Sequence, residues 1–179
     1  VRTVAQVNLF AYATSTNAIY VNLYGSNKLD TVLPGGNRVV IEQQSDYPWS
    51  GQIQLKIVDC EAMPFDLKMR IPGWATSATL EVDGTLSAAN LTPGSFASIK
   101  RRWCPGTILK LSFDMPVRLI ESHPLVEETS NHVAVKRGPI VYCLESQGLP
   151  HGVALASVRV PEEVEWDAHF ETDMLDGVT

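Results

Sequence analysis

The side chains of this 179-residue chain able to attack a bond, hold a metal or move a proton are three cysteines, four histidines and twenty acidic residues. Cys60, Cys104 and Cys143 are scattered, with no C-x-x-C pair and no histidine at ligand spacing. An odd count leaves at least one free thiol, and the expectation is that all three serve as small apolar residues inside the fold. His123, His132, His151 and His169 are isolated in sequence and read as surface or strand residues rather than as a metal site. No serine occupies a G-x-S-x-G elbow. Hydrolysis of a glycoside needs two carboxyl groups addressing one bond. Glu127-Glu128 and Glu162-Glu163 are adjacent pairs, and neighbours on a strand point to opposite faces. Nothing singles out two acids from the twenty, so the residues themselves nominate no catalytic group and no metal ligand.

The aromatic residues remain. Tyr47-Pro48-Trp49 and Pro72-Gly73-Trp74 each set a large ring beside a rigid turn. Tyr47, Trp49 and Trp74 are therefore the candidate sugar-binding residues, since a ring beside a turn can stack on the C–H face of a pyranose or furanose. The plainer reading is that these rings close the end of a core or bury against a neighbouring domain. Asn90-Leu91-Thr92 matches the N-glycosylation pattern, which has meaning only in a eukaryotic secretory setting.

Bulk composition narrows the partners. Lys+Arg 14 against Asp+Glu 20 gives a net charge of −6, and the one basic run, Lys100-Arg101-Arg102, closes a strand-like segment. Phosphate binding needs cations spread over a face, so nucleic acid is excluded as a partner. No apolar run reaches the length of a membrane-spanning helix, so no membrane partner is expected. Hydrophobic residues at 45% suffice for a core, while charged residues at 19% are few for a free surface and suggest that part of it packs against something else.

The elements that must position these residues are mostly strands. Residues 1–14 predict a helix, with Val1, Val4, Ala5, Asn8, Ala11 and Tyr12 at helical spacing. No N-capping residue precedes Val1, so that helix is expected to continue one from a larger protein. From Asn17 the period switches to two. Ile53, Leu55 and Ile57 alternate with Gln52, Gln54 and Lys56, and Phe65, Leu67, Met69 and Ile71 with Asp66, Lys68 and Arg70. Residues 19–24, 39–42, 79–82, 98–99 and 108–113 continue the series, and Asp83-Gly84 signals a hairpin. Residues 117–120, 132–135, 140–144 and 153–160 read as further strands after Met115-Pro116. Short strands joined by Gly, Pro and Asp turns, with no crossover helix between them, predict an all-β antiparallel sandwich.

Two segments carry a family resemblance. Residues 65–75, FDLKMRIPGWA, and 133–145, VAVKRGPIVYCLE, resemble the "LRIPGWA" and "RGPLVYCLE" signatures of glycoside hydrolase family 127, the β-L-arabinofuranosidase group. Ala18-Ile19-Tyr20-Val21-Asn22-Leu23-Tyr24, Asp46-Tyr47-Pro48-Trp49, Arg102-Trp103 and Met115-Pro116-Val117-Arg118-Leu119 fall in the family's order. The resemblance implies a parent enzyme with an N-terminal helical-barrel catalytic domain followed by two β-sandwiches. It also implies a zinc–thiolate centre of one glutamate and three cysteines, one of them the nucleophile, and a separate glutamate as acid/base. The last ligand of that centre lies in a Cys-Cys pair that this chain lacks, and Cys60, Cys104 and Cys143 match none of the ligand positions.

The expected organisation follows. Residues 1–15 are the remnant of the last barrel helix, 16–116 a first β-sandwich and 117–179 part of a second. The chain itself is expected to be inactive and to need no cofactor, zinc belonging to the full-length parent. Its expected partners are its own catalytic barrel, a second copy in a homodimer and a plant-derived oligosaccharide. The competing readings are a carbohydrate-binding module and a purely structural or interaction domain. A bacterial source is expected, with cytoplasm, periplasm and secretion all left open.

Overall fold

The computed structural model describes residues 6–161, 163–171 and the backbone of 177–178. The chain divides into two compact units, one ending at Met115 and the other beginning at Pro116. Among its described residues the first holds ten strands: β1 Tyr12–Ser15, β2 Ala18–Val21, β3 Asn27–Val32, β4 Arg38–Ser45, β5 Gln52–Cys60, β6 Pro64–Arg70, β7 Ala78–Val82, β8 Thr85–Leu86, β9 Phe96–Arg102 and β10 Ile108–Phe113. They form a four-stranded sheet in the order β1-β2-β6-β9 and a six-stranded sheet in the order β3-β4-β5-β10-β7-β8.

Alternation decides which side chains meet. Ile53, Leu55 and Ile57 of β5 and Leu109 and Leu111 of β10 are buried from the six-stranded sheet. They pack in one cluster with Ile19 and Val21 of β2, Phe65, Leu67 and Met69 of β6 and Ala97 of β9 from the other sheet. Register carries the pattern across strands: Ile53 pairs with Leu111, and Leu55 with Leu109. Each fully buried aliphatic side chain of this kind contributes about 1.5–3 kcal/mol. Trp103 closes one flank, its indole N–H donating to the Phe65 carbonyl at 3.0 Å. On the outer flank Arg38 bridges Asp30 at 2.8 Å and Asp59 at 2.7 Å, tying β3, β4 and β5 together.

Two turns depend on glycine. Asp83 (φ 49°) and Gly84 (φ 78°) are both left-handed, as a two-residue type I′ hairpin between β7 and β8 requires. Gly51 is constrained by space instead, since a Cβ there would lie 2.1 Å from the Phe113 carbonyl oxygen.

The expectation of an all-β sandwich holds, with one departure from purely antiparallel pairing. β2 runs parallel to β6, Ile19 beside Leu67 and Val21 beside Met69. The chain leaves the four-stranded sheet after β2, makes three strands of the other sheet, and returns in the same direction.

The helix expected over residues 1–14 is not formed where the structure describes it, residues 1–5 lying outside the described residues. A single 3-10 turn, Val7–Phe10, gives way to β1. Val7, Leu9 and Phe10 are exposed, so a helical face here has nothing to bury. Pairing of Thr14 with Ile19 and of Tyr12 with Val21 claims the rest of the segment for the sheet.

The second unit is an antiparallel meander of β11 Val117–Glu121, β12 Val133–Arg137 and β13 Ile140–Tyr142, with β14 Phe170–Glu171 pairing with β15 Gly177–Val178. Residues 153–160, expected as a strand, contain the 3-10 turn Leu155–Ser157 instead. That turn closes on local bonds, Ser157 N–H to the Ala154 carbonyl at 2.9 Å and Val158 N–H to the Leu155 carbonyl at 3.2 Å. Leu119, Val135 and Tyr142 align across the meander. None of the unit's described apolar side chains is buried.

Gly51→Ala tests the close approach at the end of β10. Its methyl group must push the turn away from Phe113, and the expected cost is about 1–3 kcal/mol, read as a lowered thermal midpoint. An unchanged midpoint would show that the turn has room to move.

Candidate carbohydrate-contact site

The turn between β4 and β5 is fixed before its rings are considered. The Ser45 hydroxyl accepts the Tyr47 N–H at 3.0 Å and donates to the Gln52 carbonyl at 3.1 Å. The Asp46 carbonyl accepts the N–H groups of Trp49 at 2.8 Å and Ser50 at 3.1 Å, and the Tyr47–Pro48 peptide is cis. The facing loop, residues 22–26, hangs on Gln43, which is buried. Gln43 Nε2 donates to the Gly25 carbonyl at 2.7 Å and the Leu23 carbonyl at 3.3 Å. Ser26 joins loop to turn, its hydroxyl donating to the Ser45 carbonyl and accepting the Ser45 N–H, each at 3.0 Å.

These two segments, the turn after β6 and the end of β10 bring four rings together. Tyr47 and Trp74 stack at 18°, their centroids 6.5 Å apart. Tyr24 meets Tyr47 edge-on at 5.9 Å and Phe113 at 5.6 Å, and Trp74 meets Phe113 edge-on at 5.7 Å. The Tyr24 hydroxyl donates to the Arg70 carbonyl. Tyr47, Trp49 and Trp74 are all half-buried. Two of the candidates, Tyr47 and Trp74, thus join a cluster that seals one end of the sandwich. Trp49 sits in the same turn as Tyr47, its backbone N–H held by the Asp46 carbonyl.

Sequence reasoning passed over Tyr24 and Phe113, whose ring partners lie between 23 and 89 positions away along the chain and leave no local signal. It also passed over what lies beside the turn. Ser26, Ser45, Asp46, Ser50 and the outward side chains of β4, β5 and β10 line an open polar depression of about 560 Å³. The strict alternation in β5 does place Gln52 and Gln54 on that outer face.

The other candidate chemistry does not assemble. Cys60 is half-buried, with its thiol donating to the Trp103 carbonyl at 3.3 Å. Burial, the nearby Cys104 and Asp59 all hold its pKa up, which makes it a poor nucleophile. Cys104 and Cys143 are exposed, against the expectation that all three cysteines act as buried apolar residues. They lie in a loop after β9 and just past β13, outside the alternating strand positions that the core buries. His123, His132, His151 and His169 are exposed in the second unit. Glu127 and Glu128 lie in an exposed 3-10 turn, and Glu162 is outside the described residues. Among the described residues no three His, Cys, Asp or Glu side chains are grouped to hold a metal ion.

Burial raises the Tyr24 hydroxyl far above the ordinary phenol value near 10, with Tyr47 adding to it and Arg70 opposing. Burial also raises Tyr47, and lifts Tyr12 to about 12 despite its bond to Asn27. A raised folded-state pKa means that the unfolded chain gives up its proton first. These phenols therefore leave stability unchanged below about pH 10 and erode it as pH rises further. Urea unfolding at pH 8 and pH 11 should show the loss, smaller in Tyr24→Phe, which itself lowers the unfolding free energy at pH 8 by about 1 kcal/mol through the orphaned Arg70 carbonyl.

Comparison with known proteins agrees with this architecture. The family model described as the GH127 middle domain of beta-L-arabinofuranosidase matches residues 18–115, and that of the glycoside hydrolase family 127 C-terminal domain matches 117–173. A non-reducing end beta-L-arabinofuranosidase of Bifidobacterium longum subsp. longum is 30% identical over 147 residues, covering 78% of this chain and 22% of that protein. The crystal structure of a GH127 beta-L-arabinofuranosidase from Geobacillus stearothermophilus T6 superposes with a TM-score of 0.89 at 37% identity, covering 99% of this chain and 28% of that one. A structure described as a glycoside hydrolase gives 0.81 at 41% identity, over 86% of this chain and 26% of its own. The chain thus spans about a quarter of the length of these relatives. With both family models matched in sequence order, this chain belongs to glycoside hydrolase family 127 and carries its middle and C-terminal domains.

Proposed function

We propose that this chain is the non-catalytic β-sandwich portion of a longer glycoside hydrolase that releases β-L-arabinofuranose from plant-derived glycosides. The observation that carries the reading is the pair of family matches, which together take in residues 18–173 and consist of middle and C-terminal domains. The substrate class follows from the relatives, whose printed names describe beta-L-arabinofuranosidases.

In the parent, zinc held by thiolates would keep a nucleophilic sulfur deprotonated near neutral pH. The described residues of this chain do not fit such a centre. The Cys60 thiol is engaged by the Trp103 carbonyl, and no cluster of three ligands forms. Catalysis is therefore assigned to a helical-barrel domain of the same polypeptide, and that barrel is the partner this chain supports. The scarcity of charge at 19% accords with a surface partly covered in the whole protein.

Assay of p-nitrophenyl β-L-arabinofuranoside hydrolysis, with zinc and a reducing agent present, tests the reading. The chain alone should give no turnover above buffer. The chain joined to a family barrel should turn the substrate over and lose that activity to a chelator. Chelator-sensitive turnover by the chain alone would overturn the assignment.

A further inference from the structure

We propose that the polar depression beside the 46–50 turn is a binding site for a neutral, arabinofuranose-containing oligosaccharide, separate from the catalytic centre assigned to the barrel. The sugar class rests on the function proposed above; the site itself rests on the geometry of the outer face of the six-stranded sheet.

Three neighbouring strands supply the floor. Gln44 of β4 pairs with Gln54 of β5, which pairs with Lys110 of β10, and Gln52 pairs with Ser112 one step along. The inward alternation of Ile53 and Leu55 forces these side chains to the opposite face. They are also held in place. The Ser112 hydroxyl donates to Gln52 Oε1 at 2.8 Å, and Gln54 Nε2 lies 3.5 Å from Gln44 Oε1. Gln44 Nε2 and Gln52 Nε2 are left as donors, and Gln54 Oε1 as an acceptor, with no hydrogen-bond partner among the described residues. A sugar hydroxyl is both donor and acceptor, and a row of amides offers both in turn.

Charge and size define the ligand further. Asp46 and Lys110 both line the depression, so one carboxylate and one ammonium oppose each other and no net charge favours an anion or a cation. A volume of about 560 Å³ suits a short oligosaccharide rather than a single ion. The wall is built before any ligand arrives, because Ser45 and Ser26 lock the turn and the facing loop together. Ile53 is the one aliphatic side chain in the lining, so most of the contact offered to a sugar comes from polar groups. An open site with few apolar contacts binds weakly, with a dissociation constant on the order of 1 mM for a short oligosaccharide.

The test is affinity electrophoresis of the chain in native gels cast with and without linear arabinan, followed by calorimetric titration with arabinotriose. The chain should be retarded by arabinan and not by dextran. The double variant Gln44→Ala/Gln54→Ala, both on an exposed sheet face, should lose at least tenfold in affinity with its thermal midpoint unchanged. Gln52→Ala, which leaves the Gln44–Gln54 pair intact, should lose several-fold on its own. No retardation by arabinan, or equal retardation of wild type and both variants, overturns the site. The aryl-glycoside assay uses a substrate too small to need this face, so it reads the parent activity independently of this outcome.

Discussion

The burial of alternate side chains on β5 and β6 is the constraint from which the rest of the first unit follows. Ile53, Leu55 and Ile57 face Phe65, Leu67 and Met69 across the sandwich. Because the period is two, a slip of one residue would turn every one of them to water. That single requirement fixes the register of β10 on β5 and therefore which residues face outward together. The row Gln44, Gln54 and Lys110 is thus a by-product of core packing. Its chemistry is free to vary, while its alignment is not.

The two units solve the burial problem to different extents. In the first, two sheets close over a continuous cluster and the ends are sealed by rings: Trp103 with its indole bonded to the Phe65 carbonyl at one, the Tyr24, Tyr47, Trp74 and Phe113 group at the other. In the second, a three-stranded meander aligns Leu119, Val135 and Tyr142 without burying them. A single sheet has only one apolar face to offer, and burial needs a facing layer. The first unit accordingly has a core of its own, whereas among its described residues the second presents a layer without one.

Much of this was legible in the sequence because β-strands declare themselves locally. Period-two alternation marked β5, β6 and β10, and Asp83-Gly84 marked a hairpin whose positive φ angles only such residues adopt readily. The helix expected over residues 1–14 failed for a tertiary reason: Tyr12 and Thr14 pair with β2, and the spacing of apolar residues does not reveal an available partner strand. The parallel pairing of β2 with β6 was equally invisible, since it depends on where the chain travels between them. At the candidate site the turns carrying Tyr47 and Trp74 were readable from their prolines, but not that the two rings stack. The depression was hidden for the same reason, because its walls come from segments that meet only after folding.

The ion pairs of Arg38 with Asp30 and Asp59 have a consequence for solubility rather than for stability. Exposed pairs of this kind add little to folding free energy. They sit, however, where β3 ends the six-stranded sheet, and the opposite edge is β8, only Thr85–Leu86 long. An open sheet edge is a template on which another chain can add a strand. One border carries fixed charge and the other ends in a strand of two residues, both features that disfavour strand addition at a sheet edge.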